Sequence, residues 1–365
     1  MKLVIFGLTV SSSWGNGHAT LWRGLCAALA RRGHRVVFFE RDTPYYAQHR
    51  DLHELPGGEL ILYSSWNDVR PLATRYLRDA DVAMVTSYCP DGIAATALAL
   101  DSNAGLRVFY DLDTPVTLQR IASGEAIEAI GPEGLAHFDL VLSYTGGRSL
   151  DELRTQLGAR AVAPLYGSVD PAVHQPVSAQ ERFRGDLGYL GTHAPDRDAA
   201  LRALFVEPAR RLPDLRFLMA GAKYDGGFPW QSNIFFLGHL APADHSAFYC
   251  SSRITLNVTR QAMKETGYCP SGRLFEAAAC GAAMLSDWWE GIDTFFEPGR
   301  EILIANSTGD ATAALDRSPE ELTRIGQAAR ERALAEHTAA ARAHELETIL
   351  ENATGQREQY ATEAI

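Results

Sequence analysis

Lys2–Leu8 is an unbroken apolar run, the pattern of a strand buried on both faces of a parallel sheet. Beyond a polar loop, Leu21, Leu25, Ala28 and Leu29 recur at helical spacing over Ala19–Arg31, and Gly33 ends the period. His34–Glu40 returns to a strand pattern. Further strands are predicted at Leu60–Tyr63, Asp81–Thr86, Arg107–Asp111, Leu140–Ser143 and Ala161–Leu165, with helical stretches between most of them. Such alternation predicts a mainly parallel sheet covered by helices on both faces. Pro164–Pro176 (PLYGSVDPAVHQP) has no period and reads as a linker. The alternation then restarts, with strands at Leu187–Leu190, Arg216–Ala220, Ile234–Leu237, Ile254–Val258, Ala283–Ser286 and Ile302–Ala305. Helices are predicted at Arg197–Arg211, Ala243–Ser251 and Gly272–Cys280. From Pro319 a helical pattern runs to about Asn352, with a break near His337, and the polar tail from Thr354 is expected to fray. The fold class is α/β, with two units of similar size. Ligands of such sheets sit beyond the strand carboxyl ends, so two facing units would frame one cleft.

Composition narrows the function. The 365 residues carry 34 Lys+Arg against 45 Asp+Glu, a net charge of −11. Neither half is a basic block, which argues against bulk nucleic-acid or anionic-membrane binding. Only Lys2, Lys223 and Lys264 are lysines; the other cations are arginines, suited to bidentate contact with phosphate or carboxylate. Cys26, Cys89, Cys250, Cys269 and Cys280 form no CxxC pair, which points to a reducing, cytoplasmic setting without structural zinc. No apolar run reaches the roughly 18 residues of a membrane span. No metal site is expected: His49 and His53 lack a third ligand, and Asp111 with Asp113 fits support of a base better than a cation.

Two stretches carry candidate chemistry. The first loop, Ser11-Ser12-Ser13-Trp14-Gly15-Asn16-Gly17-His18, has two glycines one residue apart and leads into a helix whose free N–H groups favour an anion. Thr20 stands where a dinucleotide fingerprint needs its third glycine, although Glu40 ends the second strand as a ribose-binding acid would. A nicotinamide reading is therefore the weakest. His18 is a candidate general base, with Asp113 or Asp111 as its orienting acid; turn chemistry before Pro115 competes for both aspartates. In the second half, Cys269-Pro270-Ser271-Gly272-Arg273-Leu274-Phe275-Glu276 places Arg273 and Glu276 on one helix face behind a Ser271 N-cap. Arg273 and the first amides, Gly272 included, would take a diphosphate, and Glu276 would accept from ribose hydroxyls. The competing reading is a surface Arg–Glu pair. Gly191-Thr192, Arg197, Lys223, His239-Leu240 and Thr259 follow neighbouring strands and converge on the same sheet edge.

These stretches, with Phe38-Phe-Glu-Arg-Asp and Tyr110-Asp-Leu-Asp-Thr-Pro, resemble GT-B glycosyltransferases, and more closely the CgeB-like (spore-maturation, YkvP-type) family, over nearly the whole chain. The resemblance implies two Rossmann-like domains with an interdomain cleft: an acceptor-side domain at 1–168, a nucleotide-sugar domain at 169–345, and the end of a C-terminal crossover helix at 346–365. It implies Glu276 on the donor ribose, Arg273 and Lys223 on the diphosphate, and the His239–Leu240 backbone on the base. The donor would be a co-substrate of UDP or GDP type, with no further cofactor. Many retaining relatives carry two glutamates with seven residues between them; Glu276 matches the second, and the place of the first is Tyr268. His18 followed by an acid about a hundred residues on resembles the base pair of inverting enzymes, so either outcome is open. The implied activity is metal-independent sugar transfer to an unidentified acceptor, held by loops bearing Tyr45, Tyr46 and Trp66. A noncatalytic nucleotide-sugar binder and a nucleotide-sugar epimerase are the alternatives. Trp288 and Trp289 fit either a ligand site or domain packing.

Overall fold

A computed structural model describes residues 1–363. The chain divides into two compact units: Met1–Tyr166 together with the segment from Ala339 onward, and Gly167–Thr338.

The first unit holds a seven-stranded sheet of β1 (Lys2–Gly7), β2 (Arg35–Arg41), β3 (Gly58–Tyr63), β4 (Val82–Thr86), β5 (Leu106–Asp111), β6 (Leu140–Ser143) and β7 (Val162–Pro164). All pairings are parallel, in the order β3-β2-β1-β4-β5-β6-β7. The apolar run of β1 does what its composition requires: Leu3, Val4, Ile5 and Phe6 are fully buried. Helices on both faces complete the core, with Trp22 edge-on to Phe38 and Phe6 stacked on Phe39.

The second unit holds β8 (Gly185–Leu190), β9 (Phe217–Ala220), β10 (Ile234–Phe236), β11 (Ser252–Asn257), β12 (Ala283–Ser286) and β13 (Leu303–Ile304). They form a parallel sheet in the order β10-β9-β8-β11-β12-β13. Both orders are the Rossmann order, in which the chain reverses direction across the sheet beside the first strand. The two switch points, β1/β4 and β8/β11, are where each unit can take a ligand.

Three local expectations change. The stretch predicted as one helix over Arg197–Arg211 is a 3-10 turn, a short α-helix, a π-turn at Arg202–Val206 and the helix Glu207–Arg211. Pro208 lacks the N–H that would continue a regular ladder, and the π-turn before it absorbs the mismatch. The tail does not fray at Thr354, because Ala339–Glu363 is one helix. The boundary expected at residue 345 also falls inside this helix, which belongs to the first unit. Glu347 takes Arg32 and His34, and Arg357 donates to the carbonyls of Ala104 and Gly105. The break near His337 is real: it caps the helix Pro319–Glu336, which opens with a Ser318/Glu321 capping box.

Candidate functional site

The first unit's switch point is built around a carboxylate of its own. Glu40, at the end of β2, is fully buried. It accepts from Thr9 Oγ1 at 2.7 Å, from the amides of Val10 and Ser11 at 2.7 and 3.0 Å, and from the Ser11 hydroxyl. Its role is to fasten the first loop, not to hold a ribose, which removes the one residue favouring a nicotinamide site. Asn16 is also spent internally: its Nδ2 donates to Thr9 O and its Oδ1 accepts from the His18 amide. Gly15 adopts φ +60, whereas Gly17 has an ordinary φ and open space above it. Of the three loop residues expected at the donor, only Gly17 presents an unencumbered surface.

His18 starts the helix His18–Arg31 and is half-buried. The expected direct pairing with an aspartate is not made. Its ring lies 6.5 Å from that of Tyr88 and 6.4 Å from that of Tyr144, and the Tyr88 hydroxyl donates to Asp113 Oδ2 at 2.9 Å. Asp111 belongs to the turn that starts the next helix: its Oδ1 accepts from the Asp113 amide at 3.2 Å and from Thr117 Oγ1 at 3.0 Å. Burial, first, and then the neighbouring Asp113 charge push its carboxyl up to about 6, against the donors that favour the anion. Tyr88, which the sequence did not single out, holds a left-handed φ of +66 beside the switch point. Such strain in a non-glycine residue is concentrated at functional sites.

The second unit's switch point is cationic instead. Arg273, from the helix Gly272–Ala279, donates to Asn257 Oδ1 at 2.9 Å and lies 5.5 Å from the centre of the Tyr189 ring. Gly191 is needed for that approach, since a Cβ there would stand 2.9 Å from Arg273 Nη2 and 2.7 Å from Tyr189 Oη. Gly221, at φ +143, closes on the same loop, where a Cβ would meet Gly191 O at 2.0 Å. Arg197 donates one Nη1 bond to Thr192 O at 3.1 Å. Its buried Nε has no hydrogen-bond partner among the described residues. Burial lowers the Arg197 pKa, and the fields of Arg273 and Arg260 add to this against Tyr189. A buried guanidinium edge with an unused donor, among like charges, is a site shaped for an anion.

The remaining expected donor residues divide. Lys223 is exposed, at φ +66, on the loop after β9. His239 and Leu240 follow Gly238, whose carbonyl takes the Gly221 amide at 2.8 Å, so that loop adjoins the glycine turn. Thr259 is committed elsewhere: its amide and hydroxyl both serve Asp287 Oδ1, at 3.1 and 2.9 Å. Ser271 stands at the N-cap, but its side chain makes no capping bond, which leaves the first amides of the helix uncovered by it. A cavity of about 230 Å³ is walled by His193, Arg202, Tyr224 and Phe228, and the Tyr224 hydroxyl donates to Gly191 O at 3.0 Å.

Glu276 does not pair with Arg273. The surface-pair reading is replaced by a cluster of aromatic and imidazole groups. Tyr249 donates to Glu276 Oε2 at 3.1 Å, with His245 Nδ1 at 3.5 Å and His174 Nε2 at 3.8 Å from the same oxygen. Burial raises the carboxyl pKa, but His174, His245 and Tyr249 together outweigh it and hold it at about 2. Tyr268 occupies the place of the missing acid and packs on Gly291, where a Cβ would meet its ring at 2.5 Å. Trp289 is core beside Phe295, whereas Trp288 is exposed. Trp66 packs on Phe6 and Tyr63, so it is not an open acceptor surface; Tyr45 is half exposed near the stacked Trp14–His49 pair.

Residues 197–348 match the family model described as glycosyl transferase-like. No curated protein matches the chain in sequence. Among solved structures, the chain is similar to a sucrose-phosphate synthase from Thermosynechococcus elongatus, with TM-score 0.67 and 15% identity over 99% of this chain and all of that one. It is similar to the Anabaena protein HepE in complex with UDP and glucose, with TM-score 0.66 and 14% identity over 96% of this chain and all of that one. An alpha-glucosyltransferase in complex with UDP gives TM-score 0.69 at 12% identity, over 96% and 99% of the two chains. The fold is that of the GT-B glycosyltransferases, with two Rossmann-like domains.

Proposed function

We propose that the protein is a glycosyltransferase of the CgeB-like branch, moving a sugar from a nucleoside diphosphate sugar of UDP or GDP type to an acceptor hydroxyl. The observation that carries this reading is the Arg197–Arg273 pair at the β8/β11 switch point, with a buried guanidinium donor unused. Arg273, Arg197 and the uncovered amides of Gly272 and Arg273 take the diphosphate and stabilise it as it leaves. Lys223 adds charge at the rim. Glu276, ionised across the physiological range, accepts from the ribose hydroxyls, and the Gly238–Leu240 loop borders the base. These cations neutralise the leaving group without a metal. In the first unit, His18 is the base for the acceptor hydroxyl, and Tyr88 is a positioning residue that links its surroundings to Asp113. The solved structures of HepE and of the alpha-glucosyltransferase are complexes with UDP, which makes UDP-sugars the first donors to test.

A thermal-shift panel of UDP-, GDP-, dTDP- and ADP-sugars tests the reading, because a ligand of the native state raises the melting temperature by mass action. At 100 times Kd the stabilisation is about 2.7 kcal/mol. One nucleotide class should shift the transition, and the same sugar nucleotide should be hydrolysed or transferred. His18→Ala should lower turnover roughly 10²- to 10⁴-fold with donor affinity retained. No shift by any nucleotide sugar would remove the proposal; unchanged turnover in His18→Ala would remove the base.

A further inference from the structure

His174, His245 and Glu276 lie far apart in sequence, so no ligand spacing announces them. In the second unit they meet, with one ligand atom from each within 4.8 Å of the others. His245 and Tyr249 stand four residues apart on one face of the helix Pro242–Ser251, and Glu276 comes from the helix Gly272–Ala279. His174 is held against the first of these helices by its neighbours, since the Val173 carbonyl accepts from Ser246 Oγ at 3.1 Å and the Gln175 amide donates back to it at 3.4 Å. The cluster is thus assembled by rigid elements.

The distances are the argument. Direct N–H···O bonds lie at 2.7–3.2 Å, and neither His245 Nδ1 nor His174 Nε2 makes one; both are buried nitrogens without a hydrogen-bond partner. Their separations from Glu276 Oε2, 3.5 and 3.8 Å, are too long for a bond. Bonds of about 2.0–2.1 Å to zinc at tetrahedral angles put ligand atoms roughly 3.3–3.4 Å apart. The two edges to Glu276 Oε2 therefore need to close by a few tenths of an ångström around an ion, and the third, between the imidazoles, lies within 4.8 Å. His174 is 3% exposed, so its bare Nε2 is not hydrated from bulk solvent in compensation. Two imidazoles and a carboxylate are a zinc-type set and a poor one for magnesium or calcium, which take oxygen ligands. Tyr249 donates to the same carboxylate oxygen at 3.1 Å, the kind of outer support that fixes a metal ligand's orientation.

We propose that His174, His245 and Glu276 form a zinc-binding site with one coordination position left for water or an incoming anion. Because Glu276 is also the carboxylate assigned above to the donor ribose, zinc and donor compete, and the ion acts as an inhibitor of donor binding. The competition rests on that assignment; the metal site itself does not. The proposal departs from the expectation from sequence that the chain has no metal centre.

The test is titration of chelator-stripped full-length protein with zinc chloride, followed calorimetrically, with cobalt(II) chloride as a visible probe. One equivalent of zinc should bind at micromolar or tighter Kd, and cobalt should give the intense visible bands of a tetrahedral ion. His245→Gln and the double variant His174→Gln/His245→Gln should lose both signals while their far-UV circular dichroism and melting curves stay those of folded protein. His245→Gln, on the less buried ligand, keeps the test decisive if the double variant does not fold. Absence of stoichiometric zinc, or an unchanged isotherm in folded His245→Gln, overturns the site. UDP affinity is then measured with and without one equivalent of zinc. A tenfold or greater loss on adding zinc supports the competition, and unchanged affinity overturns it. If stripped protein binds no nucleotide while zinc still binds, the donor reading fails and the metal site stands.

Discussion

The two sheets have the same strand order, yet their switch points are finished in opposite ways. Beside β1, the loop amides and hydroxyls converge on Glu40, an anion supplied by the chain itself. Beside β8, the loop residue Gly191 makes room for Arg273, and Arg197 leaves a buried donor unused. One unit has satisfied its own loop; the other gathers Arg197, Arg260 and Arg273, of which Arg260 pairs with Asp196 while a buried Arg197 donor is left unused. Topology alone makes both ends candidates for a phosphate. The proposed donor site takes the second, in a protein of net charge −11, on the ground that local convergence of positive groups outweighs the overall balance.

The strongest way to break this comparison is Glu40→Ala. Removing a buried acceptor leaves four donors unsatisfied, which should cost about 4 kcal/mol and lower the melting transition of that unit by roughly 10 °C. UDP binding by the second unit should survive in the folded fraction. If Glu40→Ala weakened nucleotide binding as much as an arginine variant does, the first loop would be part of the donor site and the contrast would fail. Arg273→Ala should do the reverse. Loss of two charge-assisted bonds, at about 1.5 kcal/mol each, weakens UDP roughly 10²-fold in a calorimetric titration. Asn257 Oδ1 loses its donor, so the melting temperature of the free protein should fall, though by less than in Glu40→Ala. Arg273→Lys should recover only part of the affinity, since an ammonium does not reproduce the guanidinium fork.

How much of this was legible in the sequence follows from what each feature depends on. The apolar run of β1 and the period of His18–Arg31 are local patterns, and the strand and helix appear where they predict. Arg273 and Glu276 are three apart on a helix, so their shared face was readable. That they do not pair was not readable, because the choice is made by Asn257 for one and by His174, His245 and Tyr249 for the other. Glu40 looked like a ligand residue at the end of its strand; only the folded loop shows its four hydrogen bonds. Tyr88 carried no signal, since a left-handed tyrosine has no compositional mark. The helix from Ala339 outlasts its apolar pattern because it is held by side-chain contacts such as Arg357 to Gly105, which the tail's polarity conceals.

A subtler contrast lies within the first unit, between its two buried carboxylates. Glu40 has both oxygens engaged, whereas Asp111 Oδ2 has no hydrogen-bond partner among the described residues. Burial places the Asp111 carboxyl at about 6 in the folded state, above the ordinary 3.8 of an exposed aspartate. The native state therefore holds more protons than the unfolded chain between about pH 4 and pH 6, and stability falls as pH rises through that window. Above it the contribution is constant. The gap of about 2 between the two values corresponds to a penalty of at most about 3 kcal/mol at neutral pH. Asp111→Asn keeps an oxygen to accept from the Asp113 amide and Thr117 and removes the titration. The difference in melting temperature between variant and parent should move in the variant's favour by several degrees from pH 4 to pH 7, and then stop changing. Taking the difference cancels the carboxylates common to both proteins. Parallel profiles across that range would mean that Asp111 is as well solvated as Glu40 is well bonded, and the distinction between the two acids would be lost.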